Sequence, residues 1–496
     1  MVKVSKQKVW FITGSQHLYG EECLRHVAED AKYIADTFNQ SPYISLDIVW
    51  KPTVKTPEEV HTLCMEASRD EDCIGVITWM HTFSPSKMWI NGLKILTKPV
   101  LHLHTQRNRE IPWDTIDMDF MNLNQSAHGD REHGFIYTRM GINRKVVVGY
   151  FEDEKVQKRI GKWARVALAA SMGHTLKVAR FGENMREVAV TEGDKVEAQV
   201  KFGWSINGYG VGDLVEEMQK VTEKEIDELM GIYEEHYDFA PDCIAGEKFY
   251  ESVREQAKME IALERFLEAR GCSAFTNTFE DLHGMKQLPG LATQRLMEKG
   301  YGYGGEGDWK VAALTRVMKI IADNRGTSFM EDYTYNMAPE YECVLGAHML
   351  EVCPTIASNK PRIEVHPLSI GDKEDPARLV FNGGEGEAVC ASLIDMGGRF
   401  RLVIAQVEGI ELEKDMPNLP VARTLWKLKP SMEIGATAWI LAGGAHHTVF
   451  SYEVTCEDLV DWAEIMDIEY VVINEKTDIL ELKQMLRTNE LIWKFR

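Results

Sequence analysis

Short, unbroken apolar runs alternating with stretches of helical periodicity are what most constrain this 496-residue chain. Residues 9–13, 46–50 and 73–80 are such runs, and 98–104 and 144–151 continue the series. Between them, 21–39 and 57–70 repeat apolar positions at helical spacing. The second of these opens on Thr56-Pro57-Glu58-Glu59, a capping box with Pro at the first helical position. Strands and helices in alternation predict a parallel sheet with helices on both faces. Such sheets carry ligand sites outside the C-terminal ends of their strands. The loops 14–20 and 81–85 lie there, although Gly, Ser and Pro are also what ordinary turns use. Gln16, His17 and Tyr19 in one tight loop tilt the first of them toward binding.

A long amphipathic helix at 152–172 closes the first domain, residues 1–175, and a strand at 175–181 follows at the boundary. The second, 176–326, reads as another α/β domain. It has a hairpin-like patch at 191–194, helices at 212–221, 223–237 and 248–269, and a strand at 273–276. Beyond residue 327 the pattern changes to short alternating strands, among them 379–381, 399–407 and 448–452. A mostly antiparallel sheet or barrel is expected for 327–496. It ends with a helix at 456–466, a strand at 469–473 and a terminal helix from Asp478.

The formal net charge of −21 argues against nucleic acid and anionic membrane as partners and suits a neutral small substrate. No stretch reaches the length of a membrane span, and no long apolar segment follows Met1–Lys6, so no secretory leader is expected. The nine cysteines are scattered, odd in number and without a C-x-x-C pair, which predicts reduced thiols in a cytoplasmic protein.

The chemistry concentrates in residues 301–351. Glu306 stands in Tyr301-Gly302-Tyr303-Gly304-Gly305-Glu306-Gly307-Asp308-Trp309, where the glycines free the backbone to approach something closely. Asp308 reads as the N-cap of an amphipathic helix with Val311, Leu314, Val317, Met318 and Ile321 on one side. Glu331 lies in Ser328-Phe329-Met330-Glu331-Asp332-Tyr333-Thr334-Tyr335. As a strand, this places Phe329, Glu331, Tyr333 and Tyr335 on one face. His348 follows in the strand-like run 343–350, with no polar neighbour before Glu351. A later run ends in Ala445-His446-His447-Thr448; if extended, the two His point to opposite faces, and only one can join His348.

Two Glu and two His in apolar or Gly-rich settings fit a divalent cation. A buried carboxylate needs a counter-charge, and oxygen-rich ligation with some imidazole favours Mn²⁺, Mg²⁺ or Co²⁺ over structural Zn²⁺. Singly, each residue has a plainer reading: a buried His is more often hydrogen-bonded core, and a Glu ahead of a helix complements its dipole. The four together bring the metal site level with those readings.

Gly305-Glu306-Gly307-Asp308-Trp309-Lys310, Phe329-Met330-Glu331-Asp332-Tyr333, the run from His348 to Pro354 and that from Ala442 to Thr448 resemble the bacterial L-arabinose isomerases. So do the run from Gly14 to Gly20 and that from Trp113 to Asn122, and the resemblance covers essentially the whole chain. It implies two Rossmann-like α/β domains, a C-terminal β (barrel-like) domain, and a metal site where the second and third meet. It implies conversion of L-arabinose to L-ribulose, the first step of L-arabinose catabolism, with D-galactose to D-tagatose as a side activity. The metal ligands it implies are Glu306, Glu331, His348 and His447, with Glu306 and Glu331 also acting as acid and base. The resemblance, not spacing, chooses His447 over His446. It implies one Mn²⁺ per subunit, replaceable by Co²⁺ or Mg²⁺, and a pocket lined by His128, Met185, Phe279 and His446. It further implies that Gln16, Leu18 and Tyr19 complete the site of a neighbouring subunit in a homotrimer or a homohexamer. An enediol route and a metal-assisted hydride shift both stay open.

Gly302-Tyr303-Gly304-Gly305-Glu306-Gly307 also matches G-x-G-x-x-G. A helix at 291–299 is predicted ahead of it where a dinucleotide site needs a strand, and a Glu in the cradle would repel pyrophosphate. No nucleotide cofactor is therefore expected. Two other classes fit less well. A metal-dependent hydrolase would need a leaving-group acid and release two products. A sugar-binding protein would have no reason to gather two Glu and two His.

Overall fold

The structure, a computed structural model, describes residues 7–368 and 372–495, so the start at Met1–Lys6 lies outside the described residues. The chain forms two compact units, one within Lys3–Ser171 and one within Met172–Arg496.

The first unit holds strands β1 (Lys8–Thr13), β2 (Asp47–Trp50), β3 (Cys73–Trp79), β4 (Val100–His104) and β5 (Lys145–Val148). They pair in the order β2-β1-β3-β4-β5, every pairing parallel. β3 is buried along all seven residues because helices cover both of its faces. Val76 packs with Val60, Leu63 and Ala67 of the helix Pro57–Arg69. On the opposite face, a Cβ at Gly75 would lie 2.9 Å from Trp163 of the helix Glu154–Ser171. Thr56 caps the first of these helices, its hydroxyl accepting from the Glu59 N–H at 3.2 Å. The strand order reverses between β1 and β3, so the loops after these two strands leave the sheet side by side. The Ser15 and Thr82 hydroxyls join them at 2.7 Å.

The second unit begins with β6 (Lys177–Phe181), β7 (Ser205–Tyr209), β8 (Asp238–Phe239), β9 (Ala274–Asn277) and β10 (Gly302–Gly304). Four of them form a parallel sheet in the order β10-β9-β6-β7. The chain continues through β11 (Thr327–Asn336), β12 (Cys343–Ala347), β13 (Arg362–Val365), β14 (Ala377–Val380) and β15 (Gly386–Asp395). It ends with β16 (Phe400–Ile410), β17 (Arg423–Leu428), β18 (His447–Ser451) and β19 (Glu469–Ile473). The larger sheet runs β15-β18-β11-β12-β17-β16-β19, antiparallel except for β16 with β19. β15 also pairs with β16, so six of these strands are hydrogen-bonded in a ring. β8, β13 and β14 make a small separate sheet.

Several local expectations change. The patch at 191–194 is no hairpin: Asp194 caps a helix, Lys195–Phe202, by accepting from the N–H groups of Val196 and Glu197 at 2.8 and 3.0 Å. The helix expected ahead of the Gly-rich run is present as Gly290–Glu298, and the run's own first residues, Gly302–Gly304, form the short strand β10. The helix Trp309–Ile321 is buried on every side, not amphipathic, and takes Lys310, Arg316 and Lys319 into the interior with it. It packs on β10, β11, β15 and β18, which leaves it no solvated face. Among the described residues, no helix is long and apolar enough to cross a membrane, and all nine cysteines are free.

Candidate active site

Three adjacent strands bring three of the predicted residues to one level. In the antiparallel register Glu331 on β11 stands opposite His447 on β18 and opposite Ala347 on β12, the residue before His348. Glu306 comes from the loop after β10, at a φ of 58° that a residue with a Cβ rarely adopts. Its carboxylate Oε2 lies 3.7 Å from His447 Nε2, and Glu331 Oε2 lies 3.9 Å from His348 Nε2. The two imidazole centroids are 6.1 Å apart, and both rings lie edge-on to the buried Phe329.

Of the three aromatics expected on one face with Glu331, only Phe329 is buried. Tyr333 is an extra residue between the paired Asp332 and Thr334, and this bulge breaks the alternation. Tyr333 and Tyr335 are exposed, although Tyr333 stays close enough to the site that burial, Glu331 and Glu306 together push its hydroxyl up. His446 and His447 also depart from the opposite-face expectation. β18 begins at His447, so His446 is not on the strand, and the two ring centroids lie 4.4 Å apart. Glu306, His446 and His447 offer ligand atoms all within 4.8 Å of one another.

Each of the two central imidazoles is held from behind by a buried carboxylate. His348 Nδ1 meets Glu351 Oε2 at 2.5 Å, and His447 Nδ1 meets Asp308 Oδ2 at 3.4 Å. Carboxylates behind imidazoles in this way fix ring orientation in metal sites. His447 Nε2 is buried with no hydrogen-bond partner and faces Glu306. An unpartnered buried nitrogen facing a carboxylate fits a cation, which would satisfy it. In the sequence alone Asp308 shows only a capping role and Glu351 none. The spacing of three residues between His348 and Glu351 was the available signal.

The electrostatics follow from this packing. Burial pushes the Glu331 carboxyl up, against the opposing pull of His348 and His447. Burial works against a charge on His348, yet Glu351, Glu331 and Glu306 together raise it to about 9. His446 is lowered to about 4, first by burial and then by His447 beside it. Asp308 is held below the usual range because Lys310 and His447 outweigh its burial.

Of the other predicted residues in this unit, Met185 is half-buried and its N–H donates to the Glu306 carbonyl at 3.0 Å. Phe279 lines a cleft of about 590 Å³ with Glu280, Leu282, His283, Leu368 and Lys373. In the first unit, Gln16 Nε2 donates to the Phe83 carbonyl at 3.3 Å, and the Phe83 ring stacks on His128 at 4.7 Å. Leu18 projects from the same loop, 83% exposed, and Tyr19 is half-buried.

Three family models match successive parts of the chain: the L-arabinose isomerase N-terminal domain over residues 3–175, the central domain over 177–324 and the C-terminal domain over 326–469. The L-arabinose isomerase of Geobacillus stearothermophilus is 62% identical over 496 residues, with 100% of both chains covered. That of Geobacillus thermodenitrificans is 62% identical over 496 residues with the same coverage. That of Halalkalibacterium halodurans is 61% identical over 490 residues, 99% of each chain. Such matches along the full length make this chain an isomerase. It belongs to the L-arabinose isomerase family.

Gly305 gives a direct check on how tightly the site is packed. A Cβ there would lie 3.0 Å from His348 Nε2 and 3.2 Å from Phe329 Cζ. Gly305→Ala is therefore expected to lower kcat/KM about ten- to a hundredfold, the scale of a small misplacement in an active site. Its melting temperature should stay near wild type. Unchanged kcat/KM would show that the approach of His348 to the loop is not needed.

Proposed function

We propose that this enzyme converts L-arabinose to L-ribulose, the first step of L-arabinose catabolism, and turns over D-galactose to D-tagatose as a side reaction. The observation that carries the reading is the pair of imidazoles, each tied through Nδ1 to a buried carboxylate and presenting Nε2 toward a Glu. Glu306, Glu331, His348 and His447 would hold one Mn²⁺ per subunit, with Co²⁺ or Mg²⁺ as substitutes. When bound, the ion polarises the sugar carbonyl and acidifies the neighbouring hydroxyl.

The chain's own residues do the rest. Glu306 and Glu331 exchange protons with the sugar as base and acid, and their environments differ as that division requires. One sits on a Gly-rich loop; the other is a strand residue whose carboxyl burial pushes up. His446, kept neutral by burial, lines the pocket with Met185 and Phe279 and can hydrogen-bond a sugar hydroxyl. Phe329 excludes water from the inner side of both imidazoles. In fold terms, the two parallel sheets are read as Rossmann-like and the ring of six strands as barrel-like.

Glu306→Gln and Glu331→Gln should each lower kcat about a hundredfold or more, the usual contribution of acid–base catalysis. Chelator should abolish ketose formation from L-arabinose, and added Mn²⁺ should restore it. Wild-type kcat in either variant removes that residue from the mechanism, and full activity in protein shown metal-free by elemental analysis removes the ion.

The enzyme is further proposed to be a cytoplasmic homotrimer or homohexamer in which Gln16, Leu18 and Tyr19 complete a neighbour's pocket. The exposed apolar side chains of Leu18, Trp113 and Met118 in the first unit support an interface there. Co-expressing a Gln16→Ala/Tyr19→Ala chain with a Glu306→Gln chain is expected to recover activity, since some mixed sites combine an intact loop with intact carboxylates. No recovery in hetero-oligomers verified by native mass spectrometry would confine each site to one chain.

A further inference from the structure

Lys310 is the second residue of the helix Trp309–Ile321 and only 1% exposed. Two general effects oppose a cation at that place. Burial of an ammonium is costly, and the positive end of the helix dipole repels it. An apolar side chain of the same length would fill the space at lower cost. Lys310 is instead held by three groups. Its Nζ lies 3.1 Å from Asp308 Oδ1 and donates to the carbonyls of Thr191 at 3.0 Å and Glu192 at 2.7 Å.

Those contacts leave Asp308 fully committed. Its Oδ1 meets Lys310 and accepts from the Val311 N–H at 3.3 Å, while Oδ2 faces His447 Nδ1 at 3.4 Å. Without the ammonium, the carboxylate keeps only two long contacts, the helix-cap hydrogen bond at 3.3 Å and the one to His447 at 3.4 Å, and is freer to turn about its Cβ–Cγ bond. The carbonyls on the far side of Lys310 belong to a segment that is itself sewn to the Glu306 loop. Asn184 Nδ2 donates to the carbonyls of Thr191 and, at 3.3 Å, of Gly307. Gly193 fits beside Lys310 because a Cβ there would lie 2.9 Å from Trp309 Cζ2 and 3.1 Å from Lys310 Cδ.

We infer that Lys310 is a positioning residue for the active site: it clamps the Asp308 carboxylate against the 191–192 carbonyls, so that Asp308 holds His447 with Nε2 facing Glu306. The inference rests on the metal-site reading proposed above. Nothing in it requires Lys310 to touch substrate or ion.

The test uses the full-length enzyme and Mn²⁺ alone. Lys310→Met keeps the side-chain length and removes the clamp. By isothermal titration calorimetry its Mn²⁺ affinity is expected to fall about ten- to a hundredfold, the usual effect of losing an outer partner of a metal-site histidine. At saturating Mn²⁺, kcat should return to the wild-type value, which a loss of general packing would not allow. Unchanged Mn²⁺ affinity, or lost kcat that excess Mn²⁺ does not restore, overturns the inference. If Lys310→Met alone fails to fold because Asp308 is left uncompensated, the comparison moves to Asp308→Asn with and without Lys310→Met. Equal Mn²⁺ affinities in these two show that Lys310 acts through Asp308; a further loss in the double variant shows that it does not. A crystal structure of the metal-free Lys310→Met or double variant separates the two layers of the reading. A broken Asp308–His447 contact in Lys310→Met, or the amide at position 308 turned away from His447 in the double variant, supports the clamp even if the wild type binds no Mn²⁺. An undisturbed contact overturns the clamp and leaves the metal-site reading standing.

Discussion

One carboxylate does three jobs in this structure. Asp308 caps the central helix of the second unit, compensates the buried Lys310 ammonium and backs the His447 imidazole. The helix it starts packs against strands of both larger sheets in that unit, so the cap also sets where the Glu306 loop meets β18. The charge of Asp308 is sustained by its neighbours, which hold its carboxyl below the usual range despite complete burial. Its contribution to stability is accordingly complete above the unfolded-state value of about 3.9 and is lost as pH falls below that.

Buried ion pairs of this kind are weak contributors to net stability, because desolvation offsets the attraction. Their value lies in fixing one arrangement out of several. The same holds for Glu351 and His348, and there the second Glu351 oxygen is taken by Tyr303 at 3.4 Å. With both imidazoles oriented from behind, the site-facing nitrogens are set before anything binds. Such preorganisation spares a site the cost of rearranging on binding. The left-handed backbone at Glu306 is part of the same arrangement: strain at one residue, held by a buried glycine-rich loop on either side.

Much of this was legible in the sequence, and the failures share a cause. Element type and order followed from periodicity, and the helix Cys456–Met466 and strand Glu469–Ile473 fall where the pattern put them. The segments of the proposed site were marked by Glu and His in apolar surroundings, and three of them do meet on adjacent strands. What periodicity misjudged were positions decided by tertiary contacts. Trp309–Ile321 looked amphipathic because it carries Lys310, Arg316 and Lys319, and only the assembled unit supplies the carbonyls that let those cations enter the core. Tyr333 looked as buried as Phe329 because a bulge is not visible in alternation. His446 and His447 looked opposed because the start of β18 could not be placed to one residue, and one residue reverses a face. The partners Asp308 and Glu351 were in view but had no visible role until the imidazoles they hold had been located.

Anomalous diffraction from crystals grown with Mn²⁺, recorded at the manganese edge, tests the central claim most directly. The metal site proposed above predicts one strong peak per chain, bonded to Nε2 of His348 and of His447 and to Glu306 and Glu331, with Nδ1 of both rings still on Glu351 and Asp308. A peak held by Glu306, His446 and His447 without His348, or an imidazole turned to present Nδ1, would contradict it.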